Sequence, residues 1–66
     1  MSQLYDLRMQ IDKSIEGSGM DPIAVRGQLG LRCGKMLAFI NPATPDDPAV
    51  IAKLKTAARE ILNLNL

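Results

Sequence analysis

Three sets of residues have types that could do chemistry: one thiol, Cys33, one adjacent carboxylate pair, Asp46 and Asp47, and three glycines, Gly27, Gly30 and Gly34, set in an apolar run. The chain has no histidine. It therefore lacks a Ser–His or Cys–His nucleophile pair and an imidazole proton shuttle. General acid–base work by Asp46 and Asp47 would need a concave, water-poor site to separate their pKa values. They lie in a proline-rich stretch, Asn41–Asp47, where helix capping is the better reading. Cys33 has no second cysteine or histidine with which to share a tetrahedral metal, and no twelve-residue calcium loop is present. No catalytic, metal or cofactor-binding residue is assigned, and a non-enzyme is expected.

The glycines do not form a phosphate cradle. Their spacing is Gly-x-x-Gly-x-x-x-Gly, and Gly34-Lys35 is followed by Met36, so neither the dinucleotide fingerprint nor the P-loop is met. Gly27, Gly30 and Gly34 instead read as close-packing positions where backbones approach. Cys33 reads as a small core residue, with a meeting of two copies across a dimer axis as the alternative.

Binding chemistry is the remaining option. Gln28, Arg32 and Lys35 share one face of a continuous helix, with Arg26 isolated opposite. These four are the candidate partner-binding residues, since arginine is enriched at contact hot spots. A helix-turn-helix is the rival reading. With Gly30 as its turn glycine, Val25, Leu29, Leu31, Met36 and Phe39 fall where such a unit is apolar. Against it, Arg26 stands at the tight interhelical contact, and Cys33, Gly34, Leu37 and Ala38 offer a DNA groove few donors. The net charge is +1 and the pI about 7.9, without the clustered basic face of a nucleic-acid binder. Pro42, Pro45 and Pro48 read as a stiff spacer, because acidic Asp46 and Asp47 flank them where a polyproline ligand would carry basic residues.

The elements that must position these residues follow from periodicity. Residues 2–16 predict a first helix with Leu4, Leu7, Ile11 and Ile15 as its apolar stripe, Ser2 as N-cap and Gly17 as C-terminal residue. Asp21-Pro22 and Asp47-Pro48 each pair an acceptor side chain with a residue of preset φ, the chemistry of a helix start. The stretch Pro22–Ile40 is expected to be the buried centre. Its glycines would each cost a helix about 1 kcal/mol against alanine, which predicts a break near Gly30 and two short helices, 22–29 and 32–40. Alternation of Val25, Leu29, Leu31 and Cys33 with Arg26, Gln28 and Arg32 gives a strand alternative. Pro48–Asn63 predicts a last helix with Val50, Leu54, Ala57, Ile61 and Leu64 inward, widened by Ile51, Ala58 and Leu62. The tail Leu64–Leu66 is expected to fray unless a partner covers it.

The expectation is one all-α domain over 1–66, a small three- to four-helix bundle whose outer helices clasp a glycine-rich middle. The alternative is α+β, with residues 24–33 forming an intermolecular β-ribbon. Hydrophobic residues make up 47% of 66, with no intramolecular disulfide or metal to staple so small a core. That imbalance predicts a homodimer. No apolar run approaches the ~18 residues of a membrane span, no leader is apparent, and the lone thiol suits a reducing compartment, so a cytoplasmic location is expected. The functional expectation is a non-enzymatic dimerisation or adaptor module presenting a helical surface to a protein partner, with a helix-turn-helix-like DNA-binding regulator as the alternative.

Overall fold

The computed structural model describes residues 2–66, which form three α-helices and one short 3-10 turn, with no strand among the described residues. Helix α1 spans Gln3–Ser18, α2 spans Pro22–Cys33 and α3 spans Pro48–Leu62; the 3-10 turn is Leu37–Phe39. The all-helical expectation holds, and the β-ribbon over 24–33 does not: these residues lie in α2.

Each helix begins where its local chemistry directs. The Ser2 Oγ accepts from the Tyr5 amide at 3.1 Å, Asp21 Oδ1 from Ile23 at 3.1 Å and Asp47 Oδ1 from Ala49 at 2.9 Å. Each bond satisfies an amide that has no intrahelical acceptor. Helix ends are set by residues in the left-handed region. Gly19 (φ 76°) ends α1 two residues later than Gly17 would, Gly34 (φ 79°) ends α2, and Asn63 (φ 57°) ends α3.

Helix α2 therefore runs through Gly30 and stops at Gly34, which corrects the expected break. Its glycine cost is offset by burying Val25, Leu29 and Cys33 along one row, each large aliphatic being worth roughly 2 kcal/mol. The left-handed Gly34 then turns the chain, and the Gly30 carbonyl accepts from the amides of both Gly34 (2.9 Å) and Lys35 (3.1 Å). Residues 32–40 are accordingly not a second helix. Only one 3-10 turn follows, so the helix-turn-helix unit drawn around Gly30 has no recognition helix.

The arrangement in space also differs from a clasped middle. Helix α3 packs along both α1 and α2, which meet each other only over a narrow seam. The centre is thus α3, where Leu54, Ala57 and Ala58 are fully buried. Alanines at 57 and 58 let two helices approach one. Against them pack Leu4, Leu7, Ile11 and Ile15 from α1, Val25, Leu29 and Cys33 from α2, and Leu37 and Ile40 from the connection. Leu64 and Leu66 pack against this core within the chain itself, and Arg59 Nε donates to the Leu66 carbonyl at 2.9 Å.

The long connection from α2 to α3 is tied down by polar contacts from α1 and from itself. Arg8 Nη1 donates to the Ile40 carbonyl, and Arg8 Nε to Asp12 Oδ2 at 3.3 Å. Thr44 Oγ1 donates to the Phe39 carbonyl at 3.2 Å and accepts from the Asn41 amide at 2.9 Å. Asp46, although next in sequence to the α3 cap Asp47, reaches α1. Its carboxylate accepts from the amides of Leu4 and Gln3, both at 3.0 Å, and from the Ser2 hydroxyl at 3.2 Å. Those amides, Leu4 first, hold the Asp46 carboxyl below its usual range.

Candidate functional site

Twelve residues of α2 carry two apolar rows. At 100° per residue, Val25, Leu29 and Cys33 advance by four-residue steps along one side, and Ile23, Gly27 and Leu31 along another. A three-helix fold can cover only one of them. The first row enters the core; the second is left in solvent, with Ile23 84% and Leu31 87% exposed. Beyond Gly34 the chain doubles back along this uncovered side, bringing Met36 (61% exposed) and Ala38 alongside α2. Between helix and returning chain lies an open groove of about 710 Å³, floored by Gly30 and Leu37 and walled by Ile23, Leu31, Met36 and Ala38. Its surface is predominantly apolar, with Arg26 and Lys35 at the rim. Exposed large apolar side chains grouped in one patch, rather than scattered singly, mark contact surfaces.

The three glycines, read from sequence as one class, do three different things here. Gly30 is a close-packing position: a Cβ there would stand 3.2 Å from the Lys35 carbonyl oxygen and 3.4 Å from Met36 Cα. Gly34 is needed for its positive φ, with open space around it. Gly27 faces the open groove, and a Cβ there would meet nothing within 4 Å. No contact within this chain explains a glycine in mid-helix at that position.

The candidate partner-binding residues Arg26, Gln28, Arg32 and Lys35 do not form one face. Arg26 Nε donates to Asp12 Oδ1 at 3.1 Å, tying α2 to α1 at the groove's edge. Arg32 lies about a third of the way around the helix from Arg26 and pairs with Glu60 of α3. Gln28 is exposed near Arg32. Lys35 lies beyond the helix end and stands at the groove rim, because Gly34 redirects the backbone. Only Arg26 and Lys35 therefore border the groove. Each of the two arginines is held by a carboxylate within the chain.

Cys33 is 2% exposed, and its thiol sits 3.2 Å from the Lys35 carbonyl. Burial on the core side excludes the meeting of two Cys33 side chains across an axis without unfolding. The Asp46–Asp47 pair is divided between two helix starts, which accounts for both carboxylates as caps. No group of three or more His, Cys, Asp or Glu side chains lies close enough to hold a metal ion among the described residues. No helix is long and apolar enough to cross a membrane among the described residues.

Ile23, Leu31 and Met36 are the functional candidates that sequence reading placed in the core. The signal that identifies them is the doubled four-residue row on a helix with a single core-facing side. Protein-family models, curated proteins and solved structures were all compared with this chain, and none matches it.

Proposed function

We propose that this protein is a non-enzymatic interaction module that presents the groove between α2 and its returning chain to another polypeptide. The observation that carries this reading is the second apolar row of α2, Ile23 and Leu31, standing in solvent beside Met36 and next to a glycine with open space above it. Covering large apolar side chains is worth roughly 1.5–3 kcal/mol each. An amphipathic segment laid into such a groove is a recurrent mode of peptide recognition. Helix N-caps, core packing and interhelical ties account for Cys33, Asp46, Asp47 and Asp12, and no cluster of three or more His, Cys, Asp or Glu side chains stands beside them among the described residues.

DNA binding is the poorer reading. The unit drawn around Gly30 has one helix where two are required, and Arg26 and Arg32 are engaged by Asp12 and Glu60 on different sides of α2. A photoreactive residue placed at position 31 tests the interaction reading in cells that make the protein, with position 53 on the exposed side of α3 as control. Polypeptide adducts from position 31 and none from position 53 are expected. Equal yields from both positions, or none from either, would refute the assignment of this face.

A further inference from the structure

The uncovered row of α2 has a symmetry that a generic docking face does not need. Ile23 lies four residues before Gly27 and Leu31 four residues after it, so two large apolar side chains of similar size flank one bare backbone position. When two copies of this helix cross antiparallel with Gly27 at the crossing point, Ile23 of one copy stands opposite Leu31 of the other, twice over. Rows at four-residue spacing are the ridges of the commonest helix crossing, and a residue without a side chain at the crossing lets the axes approach closely. A two-fold interface requires this self-complementarity, with one patch serving both sides.

Charge selects the antiparallel direction. Asp21 sits at the start of α2 and Lys35 just past its end, and neither has an ion-pair partner in its own chain among the described residues. Lys35 lines the groove and Asp21 does not: parallel copies would bring both Lys35 side chains to one end of the interface, whereas antiparallel copies set them at opposite ends. The opposed helix dipoles favour the same direction. Covering Ile23, Leu31 and Met36 in both copies withdraws about 600 Å² of apolar side chain, taking roughly 100 Å² for each. That is less than the ~1,000 Å² a stable interface clears, and is the size of a weak, transient contact.

We infer that the occupant of the α2 groove is a second copy of this chain, docked antiparallel about a two-fold axis at Gly27. The inference rests on the reading of this face as a docking surface and adds the partner and its direction. The resulting dimer is weak and depends on concentration.

Sedimentation equilibrium of the full chain, from micromolar to millimolar, is the first test. The wild-type mass should rise toward twice the monomer. Leu31→Asp, at a solvent-exposed position, should keep its helical circular dichroism and weaken association about a hundredfold, tenfold for each of the two side chains lost. The second test does not depend on that variant's folding. Ile23→Cys and Leu31→Cys proteins, oxidised as a mixture, should form the 23–31 cross-link, while neither alone should form a homodisulfide. A wild-type chain that remains monomeric at millimolar concentration, association untouched by Leu31→Asp, or a 31–31 disulfide would each overturn the proposal. Position-31 photoadducts consisting only of a different polypeptide would also overturn it while leaving the docking surface intact; an absence of position-31 adducts would defeat both.

Discussion

Replacing each of Gly27, Gly30 and Gly34 by alanine separates three physical roles that a composition count merges. Gly27 lies in mid-helix with nothing within 4 Å of the site of a new methyl group. Alanine there removes the backbone-entropy penalty of glycine at no steric cost, so the dilute monomer should gain about 0.8–1 kcal/mol. For a domain of this size, that corresponds to a rise in Tm of roughly 4–8 °C. At Gly30 the same propensity gain meets a Cβ 3.2 Å from the Lys35 carbonyl oxygen, a backbone atom that moves only with the returning chain. Overpacking of this kind costs about 1–3 kcal/mol, so Gly30→Ala should be neutral to about 2 kcal/mol destabilising. At Gly34 space is free but φ is +79°. An L-residue in that region is strained by roughly 1–2 kcal/mol, so Gly34→Ala should lower Tm. Thermal and urea unfolding followed by circular dichroism at low micromolar concentration measure all three. The discriminating result is the opposite sign of Gly27→Ala and Gly34→Ala. If Gly27→Ala destabilises the dilute chain as much as Gly34→Ala does, then position 27 is not an open helical site and the groove is misplaced.

Leu54 is fully buried on the helix that both others pack against. Leu54→Asp should abolish the native fold, because an unpaired buried charge exceeds the ~3–10 kcal/mol total stability expected for 66 residues; wild-type helicity and Tm in that variant would refute the placement of the stripe. Asp46 gives a pH-dependent test. Its folded-state pKa lies below the ordinary aspartate value of 3.8 because the Leu4 and Gln3 amides donate to the ionised form. The native state thus binds fewer protons than the unfolded chain on the acid side, and stability must fall as pH drops from just above 3.8 through the folded-state pKa. Asp46→Asn should lower stability at neutral pH and flatten that acid limb in denaturant titrations, whereas an unchanged acid slope would dissociate Asp46 from the start of α1.

Much of this architecture is written locally. Two Asp-Pro pairs announce the starts of α2 and α3, because a carboxylate acceptor followed by a residue with preset φ acts within one turn. The stripe Leu4–Leu7–Ile11–Ile15 is buried as its spacing dictates, since a helix fixes which residues share a side whatever it packs against. The same local rules make α2 ambiguous. Its two four-residue rows are equally apolar, and periodicity alone assigns both to the interior.

Only the tertiary arrangement decides between them. The row Val25–Leu29–Cys33 joins Ala57 and Ala58 of α3 in the buried core, which leaves Ile23 and Leu31 outside. Asp46 caps a helix whose first residues lie more than forty positions away in the chain, and no sequence window records that proximity. Arg26 and Arg32 part company because one side of α2 meets Asp12 of α1 and another meets Glu60 of α3. The physical reason is one of range. Caps, turns and periodicity are settled by bonds spanning a few residues, whereas which side of a helix stays wet depends on the neighbours that packing places around it.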